Sequence, residues 1–407
     1  MANTTPPALA SPAVPAHGPL TDNAGKSAMV FVRDQDSEGV IRQCLADLQL
    51  TNATIANGTV ATATSTLREG PSPRLLIVDC QGLEDPVAGV RELANVCEPT
   101  TGVIVIGTVN DIRIYRALRD AGVVEYYYKP LVRSLVLQTC QSILSGANPE
   151  PAARTGKLVC VLGVRGGVGA TTIATSTAWH LARVNKRQTA FVDLDLQYGD
   201  AALQFDVQPT AALKEALDHP ERVDELFLER AVIHVDDRIG LLAGLHGLDD
   251  TVILREGAVQ SLLQNVLRRY RYVFVDIPAA LAPEMIRVVH MPGTLLLVSS
   301  ASLACARDVA RWRARIGPNS AERSTLHILN EAGAANGLPI EAFEKAAGAT
   351  PDLIVPDSSD IAIASRLGVR GLQECRPLQR ALVPLIRQLS GEEPAVARRP
   401  WPLSLFD

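Results

Sequence analysis

The sequence predicts an α/β protein built from two doubly wound parallel sheets. Three observations lead there. Apolar, β-branched runs of strand length alternate with spans of helical spacing, the order that sets parallel strands between helices. The chain has 407 residues, 47% of them hydrophobic, which is more than one core ordinarily holds. A small, polar, Pro-containing stretch at 145–157 divides two such series.

In chain order, residues 1–27 are rich in Ala, Pro, Thr and Ser, with five prolines in the first nineteen positions. Such a segment cannot offset its ordering entropy and reads as a flexible tail. The front unit, 28–144, opens with the apolar run AMVFV (28–32) and the helically spaced EGVIRQCLADL (38–48). RLLIVD (74–79) and TGVIVIGT (101–108) read as buried strands, and IRIYRALRDAG (112–122) as an amphipathic helix stopped by Gly122. VEYYYKP (124–130) is its last strand. After the linker, the strands of the second unit (158–390) are LVCVLGV (158–164), TAFVDLDL (189–196), RIGLLAG (238–244), YVFVDIP (272–278), GTLLLVSS (293–300) and TLHILNE (325–331). Residues 391–407 read as a second tail.

Composition narrows the function classes. A net charge of −5 carries no whole-chain footprint for nucleic acid, so no nucleic-acid partner is expected. No apolar run is long enough to span a bilayer, and the N-terminus lacks the basic and apolar regions of a secretory signal. Seven scattered cysteines without a C-x-x-C predict reduced thiols in a cytoplasm, not a disulfide framework or zinc site.

The sharpest motif is VLGVRGGVGATT (161–172). A strand runs into Gly166, Gly167, Val168 and Gly169, and a helix follows. Glycines let the chain turn tightly with N–H groups aimed at an anion, and the helix N-terminus adds a favourable dipole. Thr171 is placed to bind a metal ion bridging phosphates, and Thr172 to reach the α-phosphate side. The motif departs from G-x-x-x-x-G-K-[ST]: Val164 replaces the first Gly, and Ala170 replaces the Lys. Asp193 and Asp195 close the next strand and Asp276 a later one. In an open parallel sheet, ligands bind beyond the carboxyl ends of the strands. Acids there, beside a phosphate loop and a Thr hydroxyl, are the parts of a Mg2+–nucleotide site. Asp276 joins Thr171 as a metal ligand. Asp193 and Asp195 are the acidic catalytic candidates, Asp193 to orient the attacking water.

R-G-G-V-G-A-T-T (165–172), D-L-D (193–195) and D-I-P (276–278) resemble the deviant Walker A ATPases of the ParA/MinD superfamily. The resemblance implies that Asn330 reads the adenine and that Pro356 and Asp357 form the base-contacting turn. Within the superfamily, the run 191–232 and a receiver-like unit ahead of the ATPase are similar to the CpaE/TadZ pilus-assembly proteins. This implies a localisation or assembly factor for type IVc (Flp/Tad) pili, acting as a nucleotide-dependent homodimer. Its implied partners are a pilus secretion ATPase, the inner-membrane pilus machinery and a polar landmark protein, at the inner membrane of a cell pole.

The superfamily's trans-acting Lys is Arg165 here, which keeps the charge and joins the catalytic candidates. Ala170 removes a cationic phosphate partner. A hydrogen bond to a charged group is worth about 1.5–3 kcal/mol, so binding should weaken tenfold to a hundredfold without being abolished. The expectation is nucleotide binding with weak ATPase activity. A non-catalytic scaffold with a vestigial site and a ParA-like partitioning ATPase are the alternatives.

Residues 28–144 resemble a response-regulator receiver: Asp79 ends the third strand, Thr108 follows the fourth, and Lys129-Pro130 follows the fifth. The acidic pair after the first strand is degraded, since Arg33 precedes Asp34, and an Arg there could pair with Asp79. An atypical receiver used for docking or dimerisation is expected. The arginines of 306–317 read as a solvated face. Pro400 and Pro402 argue against a membrane-docking helix in the last tail.

Overall fold

The structure, a computed structural model, describes residues 28–146, 155–244, 247, 254–280 and 285–391. The tails expected at 1–27 and 391–407, apart from Gly391, and most of the 145–157 linker lie outside the described residues.

The first sheet has five parallel strands: β1 (Ala28–Val32), β2 (Ala53–Asn57), β3 (Leu75–Asp79), β4 (Gly102–Gly107) and β5 (Glu125–Tyr128), in the order β2-β1-β3-β4-β5. Each of its two faces carries its own core, one around Leu67, Leu76, Leu93 and Val105, the other around Ile41, Ile77, Ile104 and Val136. β1, β3 and β4 are buried along their whole length, which is why they appear as unbroken apolar runs. β2, ATIAN, is a half-exposed edge strand with no such signature.

The second sheet has eight strands: β6 (Lys157–Gly163), β7 (Thr189–Asp193), β8 (Ile233–His234), β9 (Ile239–Ala243), β10 (Tyr272–Ile277), β11 (Gly293–Ser300), β12 (Arg323–Ala332) and β13 (Leu353–Pro356). Their order is β13-β12-β11-β6-β10-β7-β9-β8, parallel except for the two-residue β8, which runs antiparallel to β9. The doubly wound parallel expectation thus holds with that one departure. The helix Ala170–Arg183 follows β6 and sinks Ile173, Ala174, Ala178, Leu181 and Ala182 into this core. Phe191 of β7 and Phe274 of β10 are cross-strand partners in register, fully buried and stacked with centroids 6.4 Å apart. Such a pair adds about 0.5–1.5 kcal/mol beyond burial and binds the two strands together.

All seven cysteines are buried, and none is joined in a disulfide. Among the described residues, no helix is long and apolar enough to cross a membrane.

Candidate nucleotide site

The site forms where β6, β7, β10 and β12 end together. After β6, Val164 N–H still donates to Val298 O of β11 at 2.9 Å, and there the sheet pairing stops. Gly167 and Gly169 take left-handed backbone angles (φ 78° and 82°), and Gly169 caps the following helix. At Gly169 a side chain is excluded twice over, since a Cβ would lie 2.3 Å from Asn330 Nδ2. No described residue accepts a hydrogen bond from the amides of Gly166, Gly167, Val168, Gly169 or Ala170. Five consecutive unspent donors at a helix N-terminus make an anion cradle.

Asp276 is the last but one residue of β10 and is 6% exposed. Its Oδ2 accepts from Thr171 Oγ1 at 2.5 Å, so the two expected metal ligands meet. Asp193 faces Asp276 across the β7–β10 ladder. Burial, joined by the neighbouring Asp276 charge, pushes the Asp193 carboxyl up to about 8. Burial pushes Asp276 up to about 6, a rise that the Thr171 hydroxyl opposes. Two buried acids with no counter-ion among the described residues invite a cation. Both oxygens of Asp193 already accept backbone N–H groups, from Asp195 at 3.0 Å and Ala201 at 3.2 Å. Asp195 Oδ1 accepts from Tyr198 N–H at 2.9 Å. Both acids therefore hold the 193–201 turn. Gly199 completes it, because a Cβ there would sit 2.5 Å from Asp193 Oδ2.

Asn330, near the end of β12, donates from Nδ2 to Val168 O at 3.0 Å and so braces the loop. Pro356 ends the edge strand β13, and exposed Asp357 donates its N–H to Ala332 O at 2.8 Å. The Ala170 methyl packs against the core where the usual Lys would rise. Thr172 lies half-buried in the first turn of the helix. Arg165 does not fill the cradle. Its Nε is paired with Asp308 Oδ2 at 2.7 Å, on the helix Leu303–Ile316. Asp308 also takes Arg307, while Arg307, Arg311, Arg313 and Arg315 are exposed.

The residues fit a magnesium nucleotide: unspent amides suit phosphate oxygens, and a hydroxyl beside a buried carboxylate suits a hard cation.

At the far end of the first sheet, Asp79 is fully buried. Lys129 Nζ lies 2.6 Å from both Asp79 Oδ2 and Asp34 Oδ2, and 3.1 Å from Gln81 Oε1. The Arg33 guanidinium does not pair with Asp79. It reaches Gln81 O, and only the Arg33 backbone N–H donates to Asp79. The ammonium thus stands between the carboxylates. Tyr126 and Tyr127 spend their hydroxyls on Val109 O and on Leu135 O and Thr139, while Tyr128 stays exposed.

Sequence reasoning missed the Arg165–Asp308 pair and the loop-bracing role of Asn330, both long-range contacts without a local signature.

No family model matches the chain. A curated relative, the virulence plasmid ParA family protein pGP5-D of Chlamydia psittaci, is 26% identical over 128 residues, 31% of this chain. The match spans about half the length of that relative (49%). Among solved structures, a ParA family ATPase from Chlorobium tepidum is 20% identical with TM-score 0.49, covering 57% of this chain and 98% of its own. The pilus assembly protein CpaE from Caulobacter crescentus is 30% identical with TM-score 0.26, covering 28% of this chain and 88% of its own. These neighbours are of the two kinds that the sequence resembles, ParA/MinD ATPases and CpaE pilus assembly proteins.

Proposed function

We propose that the chain is a CpaE-like localisation and assembly factor for type IVc pili, which binds ATP with Mg2+ and hydrolyses it slowly as a homodimer. One observation carries the nucleotide part: five unspent amides at 166–170 open beside the Thr171–Asp276 pair. The amides hold the phosphates, Thr171 and Asp276 hold the metal, and Asn330 with the 356–357 turn faces the base. Mg2+, when bound, would neutralise charge on the phosphates. Arg165 serves the partner's nucleotide after leaving Asp308. With Ala170 in place of an ammonium, the phosphates are met largely by backbone donors, which favours a slow switch. Pilus machinery and a polar receptor are the partners in this reading, and the front unit is an atypical receiver used for docking.

The rival reading is a scaffold with a vestigial site, favoured by Ala170 and by Arg165 being engaged within its own chain. Titration of a fluorescent ATP analogue, with and without Mg2+, separates the two. The proposal expects saturable, Mg2+-enhanced binding, and a flat response to millimolar analogue would establish the scaffold. Deletion of the gene, scored for surface pili, tests the cellular role.

A further inference from the structure

Two arginines at the start of interior strands of the second sheet, opposite the nucleotide site, end on the front unit. Arg187 donates from Nη1 to Val96 O at 2.8 Å and from Nη2 to Arg68 O at 3.4 Å. Arg271 donates from Nη2 to Asn95 O. Asn95 and Val96 finish the helix Pro86–Val96, and Arg68 lies in the last turn of Val60–Glu69. The acceptors are therefore helix-end carbonyls that lack an intrahelical partner, at the negative ends of two helix dipoles. Gln188 N–H adds a bond to Glu98 Oε1 at 3.0 Å. Arg187 is 7% exposed and Arg271 6%, so the contact is built in and is not a surface ion pair.

The position of these arginines is what gives the contact meaning. Arg187 lies two residues before β7, and Arg271 immediately precedes β10. The two strands are neighbours, in register from Thr189↔Tyr272 to Asp193↔Asp276. At the gripped end, Gln188 O accepts from both Arg271 N–H and Tyr272 N–H, at 2.9 and 3.2 Å. The other end carries the two buried acids of the nucleotide site. Five strand residues separate the ends, about 16 Å.

We propose that the front unit regulates the nucleotide site through this clamp: with the helix ends seated on Arg187 and Arg271, β7 and β10 are held in the alignment that presents Asp276, beside the turn that Asp193 anchors, to the metal. The proposal rests on the nucleotide reading above. Seated and released clamps are the two states, and the metal-bound nucleotide favours the seated one. Arg187 and Arg271 are positioning residues, far from the phosphates. Reciprocity follows: whatever the clamp adds to metal-dependent binding, the bound metal nucleotide adds to the clamp.

The test is a titration of the full chain with a fluorescent ATP analogue, in graded Mg2+ and in EDTA. In the Arg187→Ala, Arg271→Ala variant, the Mg2+ needed for half-maximal binding should rise about fivefold or more, the usual lower range of such coupling. Binding in EDTA, which depends on the amide cradle, should not change. Lysine at both positions keeps the charge and should recover part of the loss. Exchange of the Gln188 amide should slow when the unmodified chain is saturated with Mg2+ and analogue. If the double variant does not fold, Arg271→Ala alone is read in the same way. A folded variant whose Mg2+ requirement stays within twofold overturns the clamp and leaves the nucleotide reading standing. An unmodified chain that binds no analogue overturns both.

Discussion

Replacing Gly169 by alanine probes the site where loop geometry and Asn330 meet. The backbone there sits at φ 82°, a region that costs a residue with a Cβ about 1–2 kcal/mol. The new methyl would also start 2.3 Å from Asn330 Nδ2, so that amide must leave Val168 O. The lost hydrogen bond adds about 0.5–1.5 kcal/mol. Gly169→Ala should therefore destabilise by about 2–3 kcal/mol. Asn330→Ala alone should cost about 1 kcal/mol. The double variant should cost less than the sum, because the bond can be lost only once and the clash is gone. Gly166→Ala is the contrast: a Cβ there meets nothing within 4 Å, so stability should hold within about 0.5 kcal/mol. Urea denaturation of the four variants measures all of this. A neutral Gly169→Ala, or strict additivity with Asn330→Ala, would refute the reasoning.

Asp276→Asn should reduce Mg2+-enhanced analogue binding to the level that the unmodified chain shows in EDTA, measured by the same fluorescence titration. Burial pushes Glu98 from 4.5 up to about 7, with the Gln188 N–H and nearby arginines offsetting only part of it, and its Oε2 has no hydrogen-bond partner among the described residues. A carboxyl raised on folding contributes stability that is present below about pH 4.5 and lost as pH rises through 7, about 3 kcal/mol in all. Glu98→Gln should flatten that slope in urea titrations at pH 5 and pH 8. Lys129→Ala leaves Asp79 buried without its cation and should cost about 3–5 kcal/mol in the same assay. The unmodified chain should take no label from radioactive acetyl phosphate, and label that disappears in Asp79→Asn would contradict the docking role of the front unit.

The buried central strands were legible because both their faces are covered, which makes β1, β3, β4, β6 and β10 continuous apolar runs. The edge strands β2 and β13 and the two-residue β8 were not, since half-exposed ATIAN and LIVP carry no such run. The helix VATATSTLRE escaped notice because Ala and Thr supply its buried face alongside Val60 and Leu67. At the site, the glycine turn and the Thr171–Asp276 meeting follow from strand order, since ligands gather at strand ends. The partner of Arg165 lies 143 residues on, and the partners of Arg187 lie at the ends of two helices of the front unit. Nothing local marks such pairs. The pairing of Lys129, rather than Arg33, with Asp79 likewise depends on how far each side chain reaches across folded strands.

The central claim concerns five amide hydrogens, and nuclear magnetic resonance observes them directly. On titration with Mg2+ and a non-hydrolysable ATP analogue, the amide resonances of Gly166, Gly167, Val168, Gly169 and Ala170 should shift together, further than any others, and saturate. Resonances that stay still up to millimolar analogue, or shifts gathered elsewhere on the chain, would contradict the account.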